Sequence, residues 1–403
     1  MTERDAIVLG AGPAGISAAL ALSDLGIDVL VVDRESAIAS RWRERYDRLR
    51  LNTCRYLSHL PGRRFAKRTP MFPSRDQLIA HLEHHVSASE IDVLLDTAIE
   101  RVDRDRDGWA LTAESSALRS EHVVVATGHE SHARMPKWSG AGSFGGRLLH
   151  SSEYRNPEPF AGQAVLVVGP GCSGMEIAHD LGDGGAAKVW LAVRTPPHIS
   201  LREGPGGLPG DVIAVTLLHA PVAFADRFER FGRRMDLGDL SEFGLPVPEE
   251  GLFARFHREG KVPAIVDKEV IEAIREGRIE VVRAVANLDS SGVQLADGAR
   301  IEPDAVICAT GFRHGLEPLV GHLGVLDARG LPRAQGAEAA APGLRFIGFT
   351  TRPGVLGYAA RQAKQAARAI RKELRSGGGR SHQADQSAGR VTRLGLSLGR
   401  RRS

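Results

Sequence analysis

Cysteine is scarce in this chain of 403 residues: Cys54, Cys172 and Cys308 stand far apart, with no C-x-x-C pair. That spacing excludes a redox dithiol and carries no zinc signature, so no metal site is expected. Free thiols suit a reducing compartment, and a cytoplasmic location is expected. No stretch approaches the roughly 18 uninterrupted apolar residues of a membrane span. Met1 runs through Thr2-Glu3-Arg4-Asp5 into an apolar segment, so no signal peptide is expected. Acid is nearly missing from the carboxyl end, where residues 375–403 hold seven arginines against Asp385 alone. The chain's formal charge of +4 therefore leaves about −2 for the remainder. Poor in apolar residues, 376–403 is expected to be a disordered basic tail, with neither nucleic acid nor membrane as partner.

What is present is glycine in two similar turns. Gly10-Ala11-Gly12-Pro13-Ala14-Gly15 follows the apolar run Ala6–Leu9, and Gly169-Pro170-Gly171-Cys172-Ser173-Gly174 follows Ala164–Val168. Each opens a segment of helical spacing. In such a strand-turn-helix unit the first glycine permits the tight turn and the second lets backbone approach a pyrophosphate. The third lets helix and strand pack closely, and the helix N-terminus faces the phosphates. Two such units imply two bound dinucleotides, and electrons passing between them.

The residues that end the second strand of each unit differ. Asp28–Val32 leads into Asp33-Arg34, where a carboxylate suits ribose hydroxyls and repels a 2′-phosphate. Lys188–Val193 leads into Arg194-Thr195, where a guanidinium and a hydroxyl suit that phosphate. The first unit is thus read as the FAD site, with Arg34 beside it, and the second as the NADPH site. Two further copies of one tripeptide, Ala126-Thr127-Gly128 and Ala309-Thr310-Gly311, end apolar strands where small residues let backbone pass close to a cofactor.

Between and beyond these, Ser74-Arg75-Asp76-Gln77 is a capping box opening a helix to about Val86. Residues 91–99, 109–113 and 122–126 read as strands. Residues 200–262 read as an insertion with one or two helices between Val212 and Arg234. A helix over 267–276, a strand over 278–286, a hairpin over 293–301 and an alanine-rich helix from about Gly357 to Leu374 complete the pattern. The fold class expected is α/β with two Rossmann-like domains. The FAD domain comprises 1–155 and 310–375, and an inserted NADPH domain comprises 160–309.

One stretch bears on the reaction. Phe144-Gly145-Gly146-Arg147-Leu148-Leu149-His150-Ser151-Ser152-Glu153-Tyr154 matches F-x-G-x-x-x-H-x-x-x-[F/Y], the fingerprint of class B flavin-dependent monooxygenases. With both turns in order, residues 1 to about 372 resemble the flavin-containing monooxygenases, and most of all their YUCCA-like branch. Arg41-Trp42, Tyr46-Asp47-Arg48-Leu49 and Met71-Phe72-Pro73-Ser74 echo that family. So does Gly348-Phe349-Thr350-Thr351-Arg352 near the carboxyl end. Cys172 stands where the family usually has Asn, and Tyr154 where Baeyer–Villiger enzymes have Trp.

The resemblance implies FAD reduced by NADPH, O2 as co-substrate, and oxygenation of a small organic molecule through a flavin C4a-hydroperoxide. It implies N- or S-oxygenation, or oxidative decarboxylation of an α-keto acid such as indole-3-pyruvate. A Baeyer–Villiger ketone oxygenase and an NADPH-dependent flavin reductase are the alternatives. It further implies that Asn52 works near nicotinamide and flavin, that His150 keeps the domains in register, and that Arg41 and Trp42 lie at the cofactor. Monomer and homodimer are left equal.

Overall fold

The computed structural model describes residues 3–106, 108–114 and 116–377. Apart from its first two residues, the tail expected over 376–403 lies outside them.

Two sheets organise the chain. The first runs Asp92–Leu94, Val29–Val32, Glu3–Leu9 and Ser116–Val125, all parallel, with Leu344–Phe346 also parallel beside residues 123–125. The hairpin Ile99–Asp105 and Gly108–Ala113 pairs antiparallel with the early part of that fourth strand. Alternation decides the layers, because successive side chains leave a strand on opposite faces. Ala6 and Val8 join a core with Ile16, Leu20, Ala363 and Ile370, under the helices Pro13–Ser23, Arg75–Ser87 and Val355–Gly377. Ile7 and Leu9 join the other, around Trp109, Leu111, Val125 and Phe346.

The second sheet is wholly parallel, in the order Glu280–Arg283, Lys188–Val193, Ala164–Val168, Ala305–Cys308, Arg147–His150. Val165 and Val167 face the helices Cys172–Asp183 and Lys268–Arg275, while Leu166 faces a small antiparallel sheet of Val285–Asp289, Gly292–Leu295 and Arg300–Ile301. A short ribbon, His132–Ala133 against Phe312–Arg313, ties the two crossing segments together.

Several boundaries differ from the reading of the sequence. Residues 91–99 form two strands in different parts of the sheet, with Asp96 in the left-handed region between them. Residues 278–286 likewise serve two sheets. Within the expected first unit of 1–155, Arg147–His150 pairs into the second sheet, where Leu149 is buried on one face and Leu148 packs half-buried on the other. The segment 200–262 carries three helices: Gly210–Leu217, Val222–Leu237 and Leu252–Glu259. Parallel strands Ile199–Leu201 and Ala264–Val266 bracket it.

Candidate functional site: two dinucleotide turns and the junction between them

The two glycine turns share the φ of their first glycine and the close backbone approaches at their first and third. Gly10 has φ +110° and Gly169 φ +113°, a region only glycine tolerates. A Cβ on Gly15 would stand 1.8 Å from the Gly10 carbonyl oxygen, and one on Gly174 1.9 Å from that of Gly169. Each turn also abuts the strand end carrying the repeated tripeptide: a Cβ on Gly10 would lie 2.6 Å from the Ala126 carbonyl, and one on Gly169 2.6 Å from that of Ala309. The middle glycines, Gly12 and Gly171, face open space. That opening, before a helix N-terminus with uncapped amides, has the shape a pyrophosphate requires.

The residues after the second strands behave as differently as their chemistry suggests. Asp33 turns back, one carboxylate oxygen accepting from the Ala11 amide at 2.5 Å and the other from Glu35 at 3.0 Å. Arg194 and Thr195 are exposed. Pro13 and Ala14 begin the first helix, and Ala14 is met by Gly348 from the carboxyl end. Arg34 and Arg41 both reach Glu35, and Trp42 packs partly buried at the edge of the first core. Thr127 is exposed beside Gly128, whose φ is +80°, and Thr310 Oγ1 donates to the Arg134 carbonyl at 2.5 Å. Cys172 and Ser173 start the second helix. The Cys172 sulfur accepts from the Ile265 amide at 3.2 Å, and burial pushes its thiol up to about 11.

Near the first turn, buried atoms of two imidazoles lack partners: His129 Nε2 and His314 Nδ1, from rings meeting edge to face at 5.4 Å. His129 also stacks edgewise on Phe349, next to Gly348. Buried polar atoms without partners are costly, and a heteroatom-rich ring system such as FAD would satisfy them. The residues present therefore fit the two cofactors. Among the described residues no group of three or more His, Cys, Asp or Glu could hold a metal ion.

Where the sheets meet, Asn52 Oδ1 accepts from Arg202 Nη2 at 3.1 Å. Arg202, 3% exposed, is held by Glu176 and by Asp267 at 2.5 Å, and Tyr46 donates its hydroxyl to Glu176. Desolvation raises the Glu176 carboxyl above its ordinary range, against the pull of Arg202. Because Asn52 spends its carbonyl oxygen on Arg202, its amide N–H groups remain available as donors. None of Tyr46, Glu176, Arg202 and Asp267 was singled out from sequence as part of such a cluster. They come from four distant segments: Glu176 lies two residues past Gly174 and Tyr46 opens the Tyr46-Asp47-Arg48-Leu49 segment, but no short-range pattern joins them to Arg202 or Asp267.

His150 is buried and fully engaged. Its Nε2 donates to the Gly311 carbonyl at 3.0 Å, while Nδ1 accepts from the Ser152 amide at 3.1 Å. Burial lowers its pKa, so the ring is neutral and fixed, tying the edge strand of the second sheet to the crossing segment. Tyr154, also buried, donates to Asp180 at 2.8 Å, and burial raises its phenol above the ordinary value.

Comparison with known proteins agrees with this layout. Residues 7–202 match the family model described as pyridine nucleotide-disulphide oxidoreductase. Indole-3-pyruvate monooxygenase YUCCA1 of Oryza sativa subsp. japonica is 35% identical over 360 residues, 87% of this chain and 88% of that protein. Probable indole-3-pyruvate monooxygenase YUCCA10 of Arabidopsis thaliana is 32% identical over 77% of this chain and 82% of its own. Among solved structures, a flavin-containing monooxygenase from Stenotrophomonas maltophilia shares the fold with a TM-score of 0.71 at 24% identity, covering 93% of this chain and all of its own. The OTEMO structure in complex with FAD and NADP reaches 0.69 at 19%, covering 93% and 85%. This chain belongs to the class B flavin-dependent monooxygenases, in their YUCCA-like branch.

Proposed function

We propose that this monooxygenase acts on a small α-keto acid of the indole-3-pyruvate type, with FAD on the first turn and NADPH on the second. What carries the substrate class is the likeness to indole-3-pyruvate monooxygenases along most of the chain. When bound, NADPH supplies the hydride and FAD the redox and oxygen chemistry. The balance is one α-keto acid, O2, NADPH and a proton giving the acid one carbon shorter, CO2, water and NADP+.

The chain's own groups position and exclude. Asp33, Gly10, Gly12 and Gly15 bind the adenosine half of FAD, and Arg194 with Thr195 recognises the 2′-phosphate of NADPH. Ala309, Thr310 and Gly311 pass beside the second turn as Thr127 and Gly128 pass beside the first. Asn52, its carbonyl fixed by Arg202, presents amide donors to the reacting region, and this orientation is set by the second domain rather than by Asn52's own. His150, a positioning residue, holds the crossing segment. In this reading the FAD domain is discontinuous around the NADPH domain, and three free thiols suit a cytoplasmic enzyme.

The test supplies ¹⁸O2 and indole-3-pyruvate to the holoenzyme with NADPH. One labelled oxygen in the shortened acid, with CO2 released in equal amount, is expected. NADPH oxidation with all oxygen recovered as hydrogen peroxide, for this and other α-keto acids, would overturn the reading.

A further inference from the structure

The large apolar side chains that stand exposed are concentrated in one place. Of the twelve among the described residues, nine fall between 208 and 262, and five share one helix, Val222 at its first position and four further along it. On Val222–Leu237, Phe224, Phe228, Phe231 and Met235 are 58%, 47%, 68% and 70% exposed. Spacings of four, three and four residues put them on a single stripe of the helix.

The polar groups occupy the inward face instead. Asp226 is buried and accepts from the Phe253 and Ala254 amides, at 2.6 and 3.3 Å, so it caps the neighbouring helix Leu252–Glu259. Ala225, Arg233 and Leu237 bury on that same side. The cap fixes the helix's rotation, and no turn about its axis could hide the aromatic stripe without breaking it. Arg227 and Arg234, both exposed, follow one flank of the stripe, with Arg230 beyond them. The helix's acids, Asp226, Glu229 and Asp236, lie on the half turned away from it.

We propose that this helix is a peripheral docking element for an anionic lipid surface, lying in the plane of the headgroups with the Phe224–Met235 stripe in the acyl boundary. An aromatic stripe beside arginines has the chemistry of an interfacial helix. No spanning segment is needed, and no described helix is long and apolar enough to be one. Charge decides against a second copy of the chain as occupant. An antiparallel two-fold pairing of stripes sets each flank against its own copy, so the Arg227–Arg234 row would face another like it. A parallel pairing would leave that row against the uncharged edge of Ala225 and Gly232, with no acid to meet it.

The test floats the FAD-loaded full-length enzyme on vesicles of phosphatidylcholine alone or with 30% phosphatidylglycerol, about that share being ample to attract basic residues. Binding to the anionic vesicles is expected. It should weaken at least about tenfold in Phe231→Ser/Met235→Ser, which leaves the basic tail intact. It should weaken about fivefold for each of Arg227→Gln and Arg234→Gln. Unchanged FAD content and NADPH oxidation in these variants show that the fold is kept. Vesicle binding unaffected by Phe231→Ser/Met235→Ser would assign the attraction to the tail and overturn the proposal. So would absence of vesicle binding, including the case of a light-scattering dimer that this double variant converts to monomer, which would give the stripe to a second copy.

Discussion

The helix Pro13–Ser23 and its counterpart Cys172–Asp183 leave the same glycine turn and bury in different company. The first holds no charged residue and lies buried from Gly15 to Leu22. It packs on the alanines of the carboxyl-terminal helix: Ala359, Ala363, Ala366 and Ala367. The second carries three acids along one side, and all three are engaged. Glu176 meets Tyr46 and Arg202, Asp180 meets Tyr154 and Arg48, and Asp183 meets Arg48 and Arg278. Where Glu176 stands, two residues past the third glycine, the first helix has buried Ser17. The backbone of the turn is common because a pyrophosphate makes one demand on backbone. The flanks differ because one helix is interior to its domain and the other forms the junction with its neighbour.

The sharpest break in this comparison is to fill the third glycine of each turn. A Cβ at Gly15 or Gly174 meets a backbone oxygen that no rotamer change can move aside. Each substitution to Ala should cost at least the roughly 1–3 kcal/mol of overpacking. The consequences should separate. Gly15→Ala is expected to purify without flavin and melt early, whereas Gly174→Ala should keep FAD and lose NADPH oxidation. Flavin-to-protein absorbance ratios decide this, and equal loss of flavin in both variants would undo the assignment of cofactors to turns.

Much of this was legible in the sequence, and for a definite reason. The turns, their flanking strands and the repeated tripeptides are short-range patterns in which spacing alone carries the geometry. Their shared φ values and blocked Cβ positions were implied by glycine at those places. The boundary near 147–150 was not legible, because a four-residue strand with only Leu148 and Leu149 apolar does not state in which sheet it pairs. Nor was the Tyr46–Glu176–Arg202–Asn52 cluster, which tertiary contact alone assembles. The inverted helix 222–237 is a third case. Its periodicity is plain, but which face turns inward was decided by Asp226 capping a helix that begins 26 residues later.

The acid-rich flank of the second helix should make the junction costly to disturb. Arg202→Met leaves buried Glu176 without its cation, a loss of about 3–5 kcal/mol for breaking a buried pair, while half-exposed Asp267 keeps its contact with water. A melting point well below that of the parent is expected, largely restored by adding Glu176→Gln, since contacting residues are not additive. Full additivity of the two would mean that they are not coupled. Smaller again is the effect at the strand ends. Arg194→Ala should raise KM for NADPH and leave NADH nearly unchanged, by the roughly 1.5–3 kcal/mol of a charged hydrogen bond. An equal loss with both cofactors would show that Arg194 does not read the 2′-phosphate.

The smallest effects are expected at the cysteines, and they separate reaction from fold. The family model that spans both turns is named for disulphide oxidoreductases, so a thiol in the second turn invites a redox role. Its surroundings argue otherwise. Burial pushes Cys54 and Cys172 up to about 11 and Cys308 to about 12, and no two of them form a disulfide. At pH 8 a thiol so placed is thiolate about one part in a thousand, too little to attack a disulfide at a useful rate. In Cys172 the sulfur serves instead as an acceptor for the Ile265 amide, which a serine hydroxyl can replace. Cys54→Ser, Cys172→Ser and Cys308→Ser should each hold kcat/KM for NADPH within about twofold, less than about 0.5 kcal/mol. Iodoacetamide at pH 8 should label the folded protein slowly and the unfolded protein at once. If Cys172→Ser abolishes NADPH oxidation while FAD stays bound, the thiol takes part in electron transfer, and the likeness to disulphide oxidoreductases extends from the fold to the reaction.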